Sequence, residues 1–353
     1  MKAAVLHGVE DLRYEESPTP KAGSGEVVIR VKATGICGSD IPRVNDTAAH
    51  YYPIILGHEF SGVVAEIGEG VTNVKVGDRV TAAPLIPCMT CDDCQQGNFS
   101  LCKHYKFIGS SLFGSFADYV KAPAMNVVKF NENVGFIQSA FFEPATVALH
   151  GIKCADYSGG KSVAVLGGGT VGLFTMQWAK VLGARRVVVF DISDARLELA
   201  KRLGADECIN TTSPEFLKQA MDITGGKGYP FVFETAGQNT TMNIAFDIAA
   251  NKASVCFIGT SSKDLSFNWK QFEKMNRKEF RLTGSWMSYS APFPGDEWTM
   301  TADYFSNGQL KFDDSLVYKK FPMSQAAEAF KLFKIPGEVK GKLMLVNEED
   351  SST

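Results

Sequence analysis

Short alternating and continuous apolar runs dominate the first part of the chain. Glu26-Val27-Val28-Ile29-Arg30-Val31-Lys32-Ala33 reads as a strand, and Phe60 to Gly68 reads as another. Gly77-Asp78-Arg79-Val80 reads as a turn that feeds a strand. Residues 1 to about 150 therefore predict a β-rich, irregular domain. The middle has a different rhythm. Val163 to Leu166 is a buried-strand run ending in Gly167-Gly168-Gly169, and helical periodicity follows from Val171 to Leu182. Arg186 to Asp191 reads as a strand, and Ala195 to Leu203 as a helix stopped at Gly204. Phe231 to Phe233 and Ser254 to Ile258 are further strands, with a helix from Thr241 to Ala250 between them. Strands alternating with helices predict an α/β, doubly wound parallel sheet. After about residue 283 the alternation fades. The expected division is 1–150 with 284–353 in one domain and 151–283 in the other. Glu348 to Thr353 reads as a disordered end.

Bulk properties narrow the function classes. A chain of 353 residues is too long for one small core, which supports the two-domain reading. A net charge of -3 gives no strong attraction for nucleic acid or an anionic membrane. No apolar run is long enough to span a bilayer. Met1 to His7 is soon followed by Glu10 and Asp11, unlike a signal peptide, so a cytoplasmic protein is expected.

In such a compartment clustered cysteines point to metal rather than disulfides. Cys88, Cys91, Cys94 and Cys102 form C-x2-C-x2-C-x7-C. Four thiolates can close a tetrahedron around zinc and leave no position open for substrate, so that zinc would be structural. Free thiols and an iron–sulfur cluster are the competing readings of this spacing. Cys37, His58 and a third donor, for which Glu143 in Phe142-Glu143-Pro144 is the candidate, could hold a second zinc with an open position. A lone cysteine or histidine is more often a core residue, so this set is weak by itself.

Gly167-Gly168-Gly169-Thr170-Val171-Gly172 fits G-x-G-x-x-G between a strand and a helix. Its glycines permit close backbone approach to a pyrophosphate, and the helix N-terminus offers amide donors. Asp191 ends the next strand, where an acid binds ribose hydroxyls and repels the extra phosphate of NADP, so NAD is favoured. Thr170, Val171 and Arg196 complete the candidate cofactor contacts. Arg185, Arg186 and Arg196 lie near enough to Asp191 in sequence to bear on the choice of cofactor.

These motifs, in this order, resemble the zinc-containing medium-chain alcohol dehydrogenases across essentially the whole chain. Within that family, polyol-phosphate dehydrogenases match at Cys37 to Arg43, Ala49 to Pro53 and Gly284 to Ser290. The resemblance implies a GroES-like catalytic domain beside a Rossmann domain. It implies catalytic zinc on Cys37, His58 and Glu143, and structural zinc on the cysteine lobe. Glu59 would be an occasional or outer ligand, and Asp40 would orient His58. Ser39 would take the alcohol proton. Many relatives carry a histidine three residues after this serine to pass the proton outward, whereas this chain has Pro42.

The implied reaction moves hydride between NAD and a secondary alcohol of a polyol phosphate, with a phosphoketose as product. Homodimers or homotetramers are expected. Free sorbitol, an arabitol phosphate or threonine are alternative substrates. A non-catalytic nucleotide-binding protein and a zinc-ribbon nucleic-acid binder are readings from other classes. Intact Cys37, His58 and Glu143 argue against the first. The near-neutral charge, with only Lys103, His104 and Lys106 basic beside the lobe, argues against the second.

Overall fold

The computed structural model describes residues 1–347, so the expected disorder of Glu348 to Thr353 lies outside the described residues. The chain divides into two compact units. The first contains Met1–Glu143, Tyr289–Asn307 and the residues from Asp314 on; the second contains Pro144–Ser288 and Gly308–Asp313.

In the first unit, strand Glu26–Gly35 is the hub of a seven-stranded sheet. Val27, Ile29 and Val31 alternate into a core shared with Phe60, Val64 and Val80, which is why this segment is extended and central. It pairs antiparallel with Glu59–Ile67, with Tyr119–Pro123 and with Lys342–Val346. Gly35 faces Glu59 on one side and Met344 on the other, so three distant parts of the chain meet at the end of this strand.

The second unit is a six-stranded, wholly parallel sheet. Its order is Glu207–Asn210, Arg186–Asp191, Ser162–Leu166, Tyr229–Glu234, Ala249–Phe257, Arg281–Gly284. Residues Val163 to Leu166 and Val187 to Val189 are fully buried, as expected of strands covered on both faces. Helices Thr170–Val181, Asp194–Leu203, Phe216–Ile223 and Asn239–Ile248 supply crossovers. The order reverses around Ser162–Leu166, and the crevice at such a reversal is where dinucleotides bind in doubly wound folds.

The edge strands Glu207–Asn210 and Arg281–Gly284 escape the hydrophobic pattern because they are short and half solvated. Helix Asn239–Ile248 stops two residues earlier than its periodicity suggests, because Ala249 already turns into the next strand. Helix Trp269–Lys278 has no buried residue: Trp269, Phe272 and Met275 fall three apart along it, but Trp269 and Phe272 are exposed. Among the described residues no helix is long and apolar enough to cross a membrane.

Candidate active site

Cys37 follows the hub strand directly. The Cys37 amide donates to Asp40 Oδ2 (3.1 Å) and the Asp40 amide donates to the Cys37 carbonyl (3.0 Å), a tight reciprocal turn into helix Asp40–Asn45. Glu59 begins the neighbouring strand, and His58 stands just before it, after Gly57. That glycine has φ +94°, and a Cβ there would meet the Phe116 ring at 2.4 Å, so only glycine lets the chain turn beneath that ring. Pairing of Gly35 with Glu59 then puts both segments side by side. Ligand atoms of Cys37, His58 and Glu59 all lie within 4.8 Å of one another.

Burial makes this group expensive to leave empty. His58 and Glu59 are almost fully buried, as is Asp40. Asp40 Oδ1 lies 3.6 Å from His58 Nδ1, and neither atom has a hydrogen-bond partner. Burial raises the Asp40 carboxyl, against the pull of His58 and Arg43. It raises the Cys37 thiol too, helped by the Glu59 carboxylate. Such a soft and hard donor set, short of partners in a dry place, fits a divalent cation of the zinc type.

Glu143, the third ligand suggested by the sequence, stands in the first turn of helix Phe142–Cys154, where Pro144 needs no amide partner. It is not one of the three donors within 4.8 Å; Glu59 occupies that place. It does share their electrostatics. Burial pushes its carboxyl up to about 7, with His58 opposing and Glu59 and Asp40 adding to the rise.

Lys342 was not legible as a site residue. Its ammonium lies 2.6 Å from Glu59 Oε2, with side-chain exposures of 10% and 2%. Desolvation works against its charge, but Glu59 prevails and the lysine pKa is raised. No sequence signal links the two, which are 283 positions apart. Only the pairing of Lys342–Val346 with the hub strand brings them together.

The four cysteines gather as their spacing predicts, all Sγ atoms within 4.8 Å. The Cys91 amide donates to Cys88 Sγ and the Cys88 amide to Cys102 Sγ, each at 3.3 Å. Hydrogen bonds from Thr90 and the Cys91 amide lower the Cys88 thiol to about 5, while burial pushes Cys94 up to about 12. All eight cysteines are free thiols. The lobe also grips the later segment from Tyr289. Ser100 Oγ accepts from the Tyr289 amide (3.2 Å), Phe99 packs edge-on against Phe293, and the Tyr289 hydroxyl accepts from the Leu85 amide (3.1 Å).

In the second unit the glycine loop runs from strand Ser162–Leu166 into helix Thr170–Val181, with Gly169 at its N-cap. A Cβ on Gly172 would stand 1.8 Å from the Gly167 carbonyl oxygen, so this glycine is needed for the helix to pack on its own loop. Asp191 is buried; its Oδ2 accepts from the Gly168 amide (2.7 Å) and its Oδ1 from the Ser193 amide (2.9 Å). Arg196 Nη1 lies 3.7 Å from Asp191 Oδ2. Gly167, Gly169, Thr170, Val171, Gly172, Asp191 and Arg196 thus surround one strand-to-helix turn and its neighbour.

Known proteins carry the same two parts. Residues 23–132 match the alcohol dehydrogenase GroES-like domain, and residues 170–302 match the zinc-binding dehydrogenase domain. Galactitol 1-phosphate 5-dehydrogenase of Escherichia coli (strain K12) is 36% identical over 342 residues, covering 96% of this chain and 99% of that protein. Sorbitol dehydrogenase of Bacillus subtilis (strain 168) is 33% identical over 269 residues, 75% of this chain and 76% of that one. The crystal structure of galactitol-1-phosphate dehydrogenase from Escherichia coli superposes with a TM-score of 0.92 at 36% identity, over 98% of this chain and 100% of that one. With the cysteine lobe, the thiol–imidazole–carboxylate group and the parallel sheet in place, the chain belongs to the zinc-dependent medium-chain alcohol dehydrogenases and is an enzyme of that family.

Proposed function

We propose that this dehydrogenase uses NAD to oxidise a secondary alcohol of a polyol phosphate, with galactitol 1-phosphate and its 6-phosphoketose, tagatose 6-phosphate, as the first pair to try. The observation that carries this reading is the 36% identity to galactitol 1-phosphate 5-dehydrogenase along nearly the whole chain. Cys37, His58 and Glu143 would hold a catalytic zinc, and Glu59 stands close enough to Cys37 and His58 to take the third place. Cys88, Cys91, Cys94 and Cys102 would hold a structural zinc. When bound, the catalytic zinc supplies Lewis acidity that makes the alcohol proton easier to lose. The chain's own residues do the rest. Asp40 would orient the His58 ring, Lys342 neutralises Glu59, and Ser39 would stand beside the reacting oxygen. Asp191 holds the glycine loop through the Gly168 amide, and it would face the adenosine ribose, which would favour NAD over NADP.

A free polyol such as sorbitol is a second reading, and one observation favours it. Arg43, a candidate phosphate contact, already donates to Ser39 and Ser110. The exposed Lys320, Tyr51 and Tyr52, in the same unit as Cys37, are candidates for the far end of the substrate. The test is kcat/KM with NAD for galactitol 1-phosphate, galactitol and sorbitol. Charge-assisted hydrogen bonds to a phosphate should raise kcat/KM by about tenfold or more over the free polyol. Equal use of galactitol and its phosphate would make this a free-polyol dehydrogenase.

A further inference from the structure

Two carboxylates end the strands that flank Ser162–Leu166, Asp191 on one side and Glu234 on the other. Asp191 reaches the glycine loop, whereas Glu234 holds the turn that follows its own strand. Glu234 Oε1 accepts from the Ala236 amide (3.0 Å), the Gly237 amide (2.9 Å) and the Thr241 hydroxyl (2.6 Å). Its Oε2 accepts from the Gly237 amide (3.2 Å). The Glu234 carbonyl accepts from the Ile258 and Gly259 amides at 2.8 and 3.0 Å, so the turn after strand Ala249–Phe257 is fixed to the same residue. A Cβ on Gly259 would stand 2.2 Å from the Gly237 nitrogen and 2.8 Å from Glu234 Oε2, so the two turns meet backbone to backbone beside the carboxylate. Next to it, Thr235 Oγ1 donates to the Leu166 and Gly167 carbonyls (3.0 and 3.1 Å). Three turns, at the carboxyl ends of three neighbouring strands, are thereby stitched together at Glu234 and Thr235.

Glu234 is fully buried, whereas Ala236, Gln238 and Thr260 are exposed. Both carboxylate oxygens are taken by the protein's own donors, so Glu234 has none left to offer a ligand. Burying a charge is costly unless donors surround it, and here three do. What the charge adds is rigidity, because hydrogen bonds to an ionised acceptor are shorter and about twice as strong as neutral ones. In doubly wound folds a dinucleotide crosses the crevice where the strand order reverses. With the adenosine ribose at Asp191, the other half extends over the ends of Tyr229–Glu234 and Ala249–Phe257, where the stitched turns present their exposed residues.

We propose that Glu234 is a positioning residue for the nicotinamide half of the cofactor. It holds turns 235–238 and 258–260 as a fixed floor for that half and does not act on the adenosine half. This rests on the cofactor reading made above.

Binding titrations that divide the cofactor into its halves test the idea. Glu234→Gln keeps the size of the side chain but sets an amide nitrogen, itself a donor, among donors. It should raise Kd for NADH by about tenfold, while Kd for ADP, which lacks the nicotinamide half, should stay within about twofold. Thr241→Val removes one donor and should raise Kd for NADH by a smaller factor, again without effect on ADP. That variant carries the test if Glu234→Gln fails to fold, which the thermal midpoint without cofactor reports. Equal losses for NADH and ADP overturn the proposal, because the crevice as a whole would have been deformed. So does a lowered midpoint with NADH affinity unchanged, which would leave Glu234 a stabiliser of the sheet and nothing more. If the wild-type enzyme binds NADPH better, the same split is read with NADPH and its adenosine-side fragment. A wrong cofactor would then sink the choice made above and leave this test standing.

Discussion

The four-sulfur lobe takes all its donors from a stretch whose ends are 14 positions apart, whereas the Cys37 group is assembled from two strands and balanced by a lysine 283 positions beyond Glu59. Their surroundings differ as much as their origins. In the lobe, backbone amides and a threonine lower the Cys88 thiol to about 5, even as burial pushes its neighbour Cys94 up. Around Cys37, burial and carboxylates push the thiol up. One is a loop waiting for an ion to close it. The other is a rigid frame, built by strand pairing, that holds mutually repelling donors at the place where an ion would relieve them. A loop of the first kind can be dedicated to structure. A frame of the second kind keeps its geometry when a ligand position is left open for chemistry.

The sharpest way to break this comparison is at the frame. Cys37→Ser or His58→Ala should lower kcat by about 1,000-fold, because Lewis-acid stabilisation is worth several kcal/mol. NAD affinity, measured by titration, should stay nearly constant, since the glycine loop belongs to the other unit. Loss of NAD affinity in step with rate would show that the two sites are not separable.

Lys342→Met comes next. It leaves the Glu59 carboxylate buried without its counter-charge, at a cost of about 3–5 kcal/mol. The denaturation midpoint of metal-stripped protein should fall accordingly, and Lys342→Arg should restore most of it. An unchanged midpoint would mean that strand pairing alone sustains the frame.

At the lobe the effect should be local. Wild-type protein purified without chelator should contain about two zinc ions per chain, and Cys91→Ser about one. Limited proteolysis of that variant should cut between residues 88 and 102. Iron in place of zinc, or four freely reactive lobe thiols, would overturn the assignment.

The smallest effect is expected in the second unit. Asp191→Ala should reduce the preference for NAD over NADP by about tenfold, with some loss of stability, because the carboxylate also accepts from the Gly168 and Ser193 amides. Equal wild-type efficiency with both cofactors would show that Arg196, beside that carboxylate, offsets its repulsion of the extra phosphate.

The same contrast explains what could be read from sequence. The lobe and the glycine loop are short-range devices, so their residue spacing is their geometry. The parallel sheet is legible for the same reason: each buried strand is an uninterrupted apolar run. Cys37 and His58 could be suspected, but their meeting depends on the register of Gly35 against Glu59. Lys342 and the grip of Ser100 on Tyr289 depend on which distant strand or segment comes to lie alongside. Edge strands such as Arg281–Gly284 fail for a third reason, because solvent on both sides removes the pattern. The bonds from Arg43 to Ser39 were hidden differently, since a surface-type arginine four residues after a serine has no spacing that distinguishes it.

The position of strand Lys342–Val346 also sets an order for biosynthesis. A ribosome adding about 5–20 residues per second needs on the order of tens of seconds to travel from Glu59 to Lys342. During that interval the nascent hub strand Glu26–Gly35 lacks its C-terminal neighbour, and Glu59 has no ammonium to face. All six strands of the parallel sheet emerge in the meantime, so that layer can close first. The chemical centre is therefore among the last parts of the newborn chain to be finished, and a chaperone guarding the unfilled edge would have to hold it through the synthesis of an entire second unit.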